Sequence, residues 1–170
     1  MLFRSASDQA KLLRWRSESI ELPRTFLTSP DAAQFLRQQV SLADSVYFAV
    51  RGALAALVAA TMPDSKSKDT QARARSVLDS GPAAPTFFSA VERNLPQLMR
   101  GIAQGDVDVA ARTWLDVLLV ASEQAWTATR RCLGDSPAAL RAEARVYPKF
   151  RSQLRKLKAG LTVPVEEINQ

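Results

Sequence analysis

The sequence predicts an all-α chain, an up-down antiparallel four-helix bundle preceded by an N-terminal connector. Three observations predict it. Four long stretches carry apolar residues at alternating steps of three and four, the spacing of a helix seam. No stretch of comparable length alternates between apolar and polar residues, as a strand would. The breaks between the stretches fall at glycine and proline. A chain of 170 residues that is 46% hydrophobic can bury a core of this kind. The expected division is a connector at 1–28, the bundle at 29–160 and a tail at 161–170.

The connector is mixed in pattern. Residues 8–16 suit a short helix, and 19–22 alternate weakly before Pro23. Trp15, Ile20 and Phe26 are its expected anchors on the bundle. The first long helix starts at Ser29-Pro30-Asp31. Serine caps, proline fits the first helical position, and aspartate suits the positive helix end. Its seam is Leu36, Val40, Ala43, Tyr47, Val50, Leu54 and Leu57, and it should stop before Pro63. The most apolar run, 46–62, lies in this helix and is interrupted by Arg51. The stretch from 52 to 62 is too short to span a hydrocarbon core of ~30 Å, so it reads as a buried helix.

Residues 62–85 form the long break, with Pro63, Gly81, Pro82 and Pro85. A solvated crossover loop is expected, with a short helix near 70–78. Its Lys66, Lys68, Arg73 and Arg75 give a second reading, a basic loop that touches phosphates. The second long helix follows from Thr86, with Phe88, Val91, Leu95, Leu98 and Ile102 inward and Gly105 as its stop. Pro96 should kink or split it near Asn94. The third runs over 106–133, its inner line being Trp114, Leu118, Ala121, Ala125, Ala128 and Cys132. Its alanines would let a neighbouring helix approach closely. Asp116 and Glu123 share one face and read as salt-bridge partners.

The fourth helix begins at Ser136-Pro137 and should end at Gly160. At ~100° per residue, Leu140, Ala144, Tyr147, Phe150, Leu154 and Leu157 fall on one broad face. Arg141, Arg145, Lys149 and Lys156 fall opposite. Pro148 should disturb this ridge. From 130 to 158 there are nine basic and two acidic residues, while the whole chain carries +6. The positive charge is therefore concentrated here. A merely solvated face would usually mix signs. Arg130, Arg131, Arg141, Arg145, Lys149 and Lys156 are the candidate nucleic-acid-binding residues, with phosphates as the expected ligand.

Other chemistries lack their parts. The chain has no histidine and one cysteine. That removes Ser-His-Asp and Cys-His catalysis, histidine-based metal sites and intrachain disulfides. The six glycines are scattered and form no phosphate loop. Cys132, near a helix C-terminus, reads as a small core residue. Carboxylates alone remain for catalysis, and no enzyme is expected. A chain without disulfides fits the reducing cytoplasm, and residues 1–11 hold no apolar run of signal-peptide length.

One block carries a resemblance. It comprises Phe87-Phe88, Val91-Glu92, Leu95-Pro96 and Leu98, then Gly105-Asp106 and Trp114. Beyond them come the alanine-seamed helix, Leu140-Arg141-Ala142, Phe150 and Leu154-x-x-Leu157. Over about 12–158 the chain resembles the C-terminal four-helix bundle of CasA, the large subunit of the type I-E CRISPR Cascade complex. The resemblance implies a non-catalytic, cofactor-free part of that subunit, without its large N-terminal domain, acting in antiviral defence. It implies contact with target DNA, with other Cascade subunits and with the crRNA-containing assembly, and neither a membrane nor a small-molecule substrate. The alternative is a helical protein–protein interaction module that binds no nucleic acid.

Overall fold

The computed structural model describes residues 30–162. The connector, with Trp15, Ile20 and Phe26, lies outside the described residues, as do Ser29 and residues 163–170 of the tail. The described residues form five helices and no strand: α1 (Pro30–Ala60), α2 (Lys68–Ser80), α3 (Ala83–Ala103), α4 (Val107–Cys132) and α5 (Pro137–Thr162).

α1 is the axis of the bundle and touches every other helix. All seven predicted seam residues, from Leu36 to Leu57, are at most 1% exposed. By length and composition alone this helix could cross a membrane; here its apolar side is spent on the core.

The segment after α1 is more structured than a crossover loop. Ser67 caps α2 by accepting the Thr70 N–H at 3.1 Å, and Thr70, Ala74 and Leu78 are buried. Arg73 and Arg75 point to solvent. Arg51, the interruption in the apolar run, meets Asp79 of α2 with two N–H donors. Both side chains are about three-quarters shielded (27% and 25% exposed), which strengthens such a bidentate pair. α2 runs antiparallel to α1, and where it ends α3 continues in the same direction. Phe87 and Phe88 of α3 each lie 5.2 Å from the Tyr47 ring.

α1, α3, α4 and α5 make the predicted up-down-up-down bundle. The α3–α4 pair is the closest. A Cβ added to Gly101 would come within 3.1 Å of the Ala110 Cβ, so the two backbones approach through small residues. Asp106 caps α4 by accepting the Val109 N–H at 3.3 Å, and Gly105 makes the turn at φ 86°. The Trp114 indole N–H donates to the Gln39 carbonyl at 2.7 Å, tying α4 to α1. At the last turn Gly134 adopts φ 74°, and Ser136 accepts the Ala139 N–H at 3.1 Å. Gln153 of α5 donates to the Ala49 carbonyl at 2.9 Å.

Several sequence expectations are corrected. α3 and α5 run without a break through Pro96 and Pro148. Both prolines, and Glu92 and Ala144 four residues before them, are exposed, so water can serve the carbonyl that loses its N–H partner. α3 begins ahead of Thr86, and α5 passes Gly160 by two residues. Cys132 is exposed rather than in the core, and Ala128 is only half-buried. A strict seven-residue seam drifts around a straight helix, so the buried line of α4 passes instead to Trp126 and Thr129. On α5, Leu140 is 53% exposed and Ala144 is also outside, whereas Ala139, Ala142 and Val146 join Phe150 and Leu154 in the core.

Tyr47 gives a test of the α1–α3 contact. Its hydroxyl is buried without a hydrogen-bond partner among the described residues. Burial, then the charge of Asp79, raises its pKa above the ordinary 10.0, against a smaller lowering by Arg51. The unfolded chain loses this proton first, so stability should fall as pH rises above 10.0. Tyr47→Phe should weaken that alkaline loss and cost at most about 1 kcal/mol at pH 7, because no bond is given up. Denaturant melts of both proteins across the alkaline range check it.

Candidate nucleic-acid interface

α5 presents its cations on two flanks, because its buried line passes between them. One flank carries Arg141, Arg145, Lys149 and Lys156, all exposed. The spacing i, i+4, i+8, i+15 keeps them in one arc of the helix. None of the four makes an ion pair among the described residues. Lys149 and Lys156 border a shallow depression of about 650 Å³, with Ser152, Gln153 and Leu157 between them. No carboxylate among the described residues lines it. Four like charges, the first three about one turn apart and the last about two turns further on, are held by a backbone already fixed on α1 and can meet phosphates without ordering a loop.

The two arginines at the α4–α5 turn are placed differently. Arg130 is drawn into the hairpin, its side chain 13% exposed. It donates to Glu143 of α5 and to the Gly134 carbonyl, and Asp135 lies 3.8 Å away. Its charge is answered within the turn, so it acts as a staple between α4 and α5. Arg131 is exposed but lies on the opposite flank, in a groove along α4 that the ridge does not share.

That groove was not singled out from the sequence. It holds about 730 Å³ between α4, the start of α3 and the second half of α5. Arg93, Arg131, Arg151, Arg155 and Lys158 line it, with Glu123 as its only carboxylate among the described residues. Glu123 is engaged: it accepts the Tyr147 hydroxyl at 3.4 Å and lies 3.7 Å from Arg151, a salt-bridge role of the kind expected from the sequence, which named no partner. The Tyr147 hydroxyl, then the charges of Tyr147 and Glu123, raise the pKa of Arg151 further above its usual value. Asp116 stays exposed and makes no ion pair among the described residues. The spacing i, i+4, i+7 of Arg151, Arg155 and Lys158 was the available signal. It was hidden because the ridge cations share the same helix.

No group of three or more potential metal-ligating side chains occurs among the described residues. No curated protein and no solved structure matches the chain. The family model of CRISPR-associated protein Cse1 matches residues 3–127. The match takes in α1 to α3 and most of α4, and stops before the ridge. It spans well over half of the chain and contains the Phe87 to Trp114 part of the block that carried the resemblance, while the Leu140 to Leu157 part lies beyond it. The chain therefore belongs to the CRISPR-associated Cse1 family, and a role in the CRISPR Cascade complex goes with that membership.

Proposed function

We propose that the chain is a non-catalytic, cytoplasmic part of a type I-E Cascade complex, corresponding to the C-terminal bundle of the large subunit. In this reading it contacts target DNA through phosphates, independently of sequence, while docking on neighbouring subunits. The observation that carries it is the α5 ridge: four exposed cations in one arc, unanswered by carboxylates among the described residues. Family membership supplies the assembly, and the ridge supplies the chemistry for an anionic polymer. Arg130 is left out of the DNA-facing set because the hairpin already uses it.

A photo-crosslinking side chain placed at Lys149 tests this in the assembled complex bound to target DNA. Adducts to DNA are expected at that position and not at Gln38, an exposed position on α1. Adducts to protein alone would favour the interaction-module alternative, in which the ridge serves assembly rather than DNA.

A further inference from the structure

The groove on the other flank of α5 is a second recognition surface, and its chemistry differs from that of the ridge. α5 packs mainly on α1 and meets α4 near the hairpin and through Trp126, which stacks on Phe150 at 4.8 Å. Beyond that contact the two helices leave a trough. Its floor is aliphatic: Leu119, Val120 and Ala128 of α4, and Leu154 of α5. Val120 is 55% exposed, so its side chain is open to a partner lying in the trough. The rims are cationic, with Arg93 on α3 and Arg151 and Arg155 on α5, while Arg131 closes the hairpin end. Arg93, Arg131 and Arg155 are exposed and make no ion pair among the described residues.

We infer that this groove docks an acidic amphipathic helix of a protein partner. Its apolar stripe would cover Leu119, Val120 and Leu154, and its carboxylates would face the arginines on the rims. Charge complementarity and the apolar floor together select this occupant. A trough between two helices accepts a third helix by ridge-into-groove packing, and an apolar stripe with charged flanks is how a helix binds a groove. Nucleic acid fits less well. Single strands are held on exposed aromatic faces. The aromatics beside the groove are Trp126 and Phe150, stacked on each other and buried, and Tyr147, half-buried, with its hydroxyl on Glu123 and its ring already under Arg151. A duplex backbone would set its phosphates against Val120 and Leu154 and gain nothing from that apolar surface.

The probe is a labelled synthetic helical peptide with leucine at i, i+3, i+4 and i+7 and glutamate at the other positions. Its binding to the full chain is followed by fluorescence anisotropy. The amphipathic peptide should bind at least about tenfold more tightly than a scrambled peptide of the same composition. Val120→Glu and Arg155→Glu should each weaken it by about tenfold or more, as loss of a groove contact does. Both positions are exposed, so the helical circular dichroism signal should not change. Arg141→Ala with Arg145→Ala, on the other flank, should leave peptide binding intact. Absence of binding, or equal binding of the scrambled peptide, would overturn the inference. So would displacement of the peptide by an oligonucleotide whose own binding is lost in Val120→Glu, which would make the groove a nucleic-acid site.

Discussion

Trp114→Ala should destabilise the fold by about 3–5 kcal/mol, the range for removing a buried tryptophan or phenylalanine. Trp114 is 1% exposed and joins two helices at once. Its ring sits in the main core cluster with α1 and α3 residues, and its N–H donates to the Gln39 carbonyl of α1. Alanine would leave a cavity and remove the second hydrogen bond to a helix carbonyl that ties α4 to α1, and the two losses add in the same direction. Against a total stability of about 5–15 kcal/mol, this is a large share. Leu118→Ala, at a fully buried site on the same helix, should cost about 2–5 kcal/mol. Leu140→Ala is the control. On the sequence pattern Leu140 belonged to the core, but it is 53% exposed, and its truncation should stay within about 0.5 kcal/mol. Chemical denaturation of the three variants reads all of this. A Leu140→Ala cost as large as that of Leu118→Ala would mean that α5 is rotated from the orientation described.

The contrast between Leu118 and Leu140 also shows what the sequence can carry. α1 was legible because its seam holds mostly large residues, Ala43 excepted, at unbroken steps of three and four, and all seven are buried. α5 was legible as a helix but not in its rotation. Its buried line begins with Ala139, Ala142 and Val146. Small residues mark an interface only when the neighbouring helix is known to come close. The larger Leu140 pulled the reading toward itself, and cations on two flanks removed the usual guide of a single polar face. α2 was half-seen for a related reason. Its buried line is Thr70, Ala74 and Leu78, two of them small or polar, so the periodic signal was weak. Cys132 was misplaced because a seven-residue repeat was extended through a straight helix, where the true line drifts to Thr129.

The candidate site divides in the same way. The ridge could be read from one helix, because Arg141, Arg145, Lys149 and Lys156 share an arc whatever the packing. The groove could not, since Arg93 belongs to α3 and meets Arg151 and Arg155 only after three helices have assembled. Arg130 carried the same formal charge as its neighbours in the sequence. Only the closed hairpin, which brings Glu143 to it, removes it from the exposed set.

Replacing Arg141 and Arg145 by alanine should flatten the salt dependence of DNA binding by roughly two units of log K against log salt. Each phosphate contact on duplex DNA releases about 0.9 of a condensed counterion, and the double variant removes two contacts. If all four ridge cations contact phosphates, they account for a loss of affinity of roughly a hundredfold between about 50 and 200 mM salt. With two removed, the remaining share is on the order of tenfold. The weakening should be similar across DNA sequences, because phosphates carry no base information. The melting temperature should hardly move, since both arginines are exposed and make no ion pair among the described residues. Measurement belongs in the reassembled complex, because in the proposed reading neighbouring subunits supply further contacts to the DNA. The three readouts act together. A flatter slope with intact stability and uniform weakening assigns the ridge to phosphates. An unchanged slope, with affinity intact in the same complex, would return the ridge to solvent or to a protein neighbour and leave the chain an interaction module.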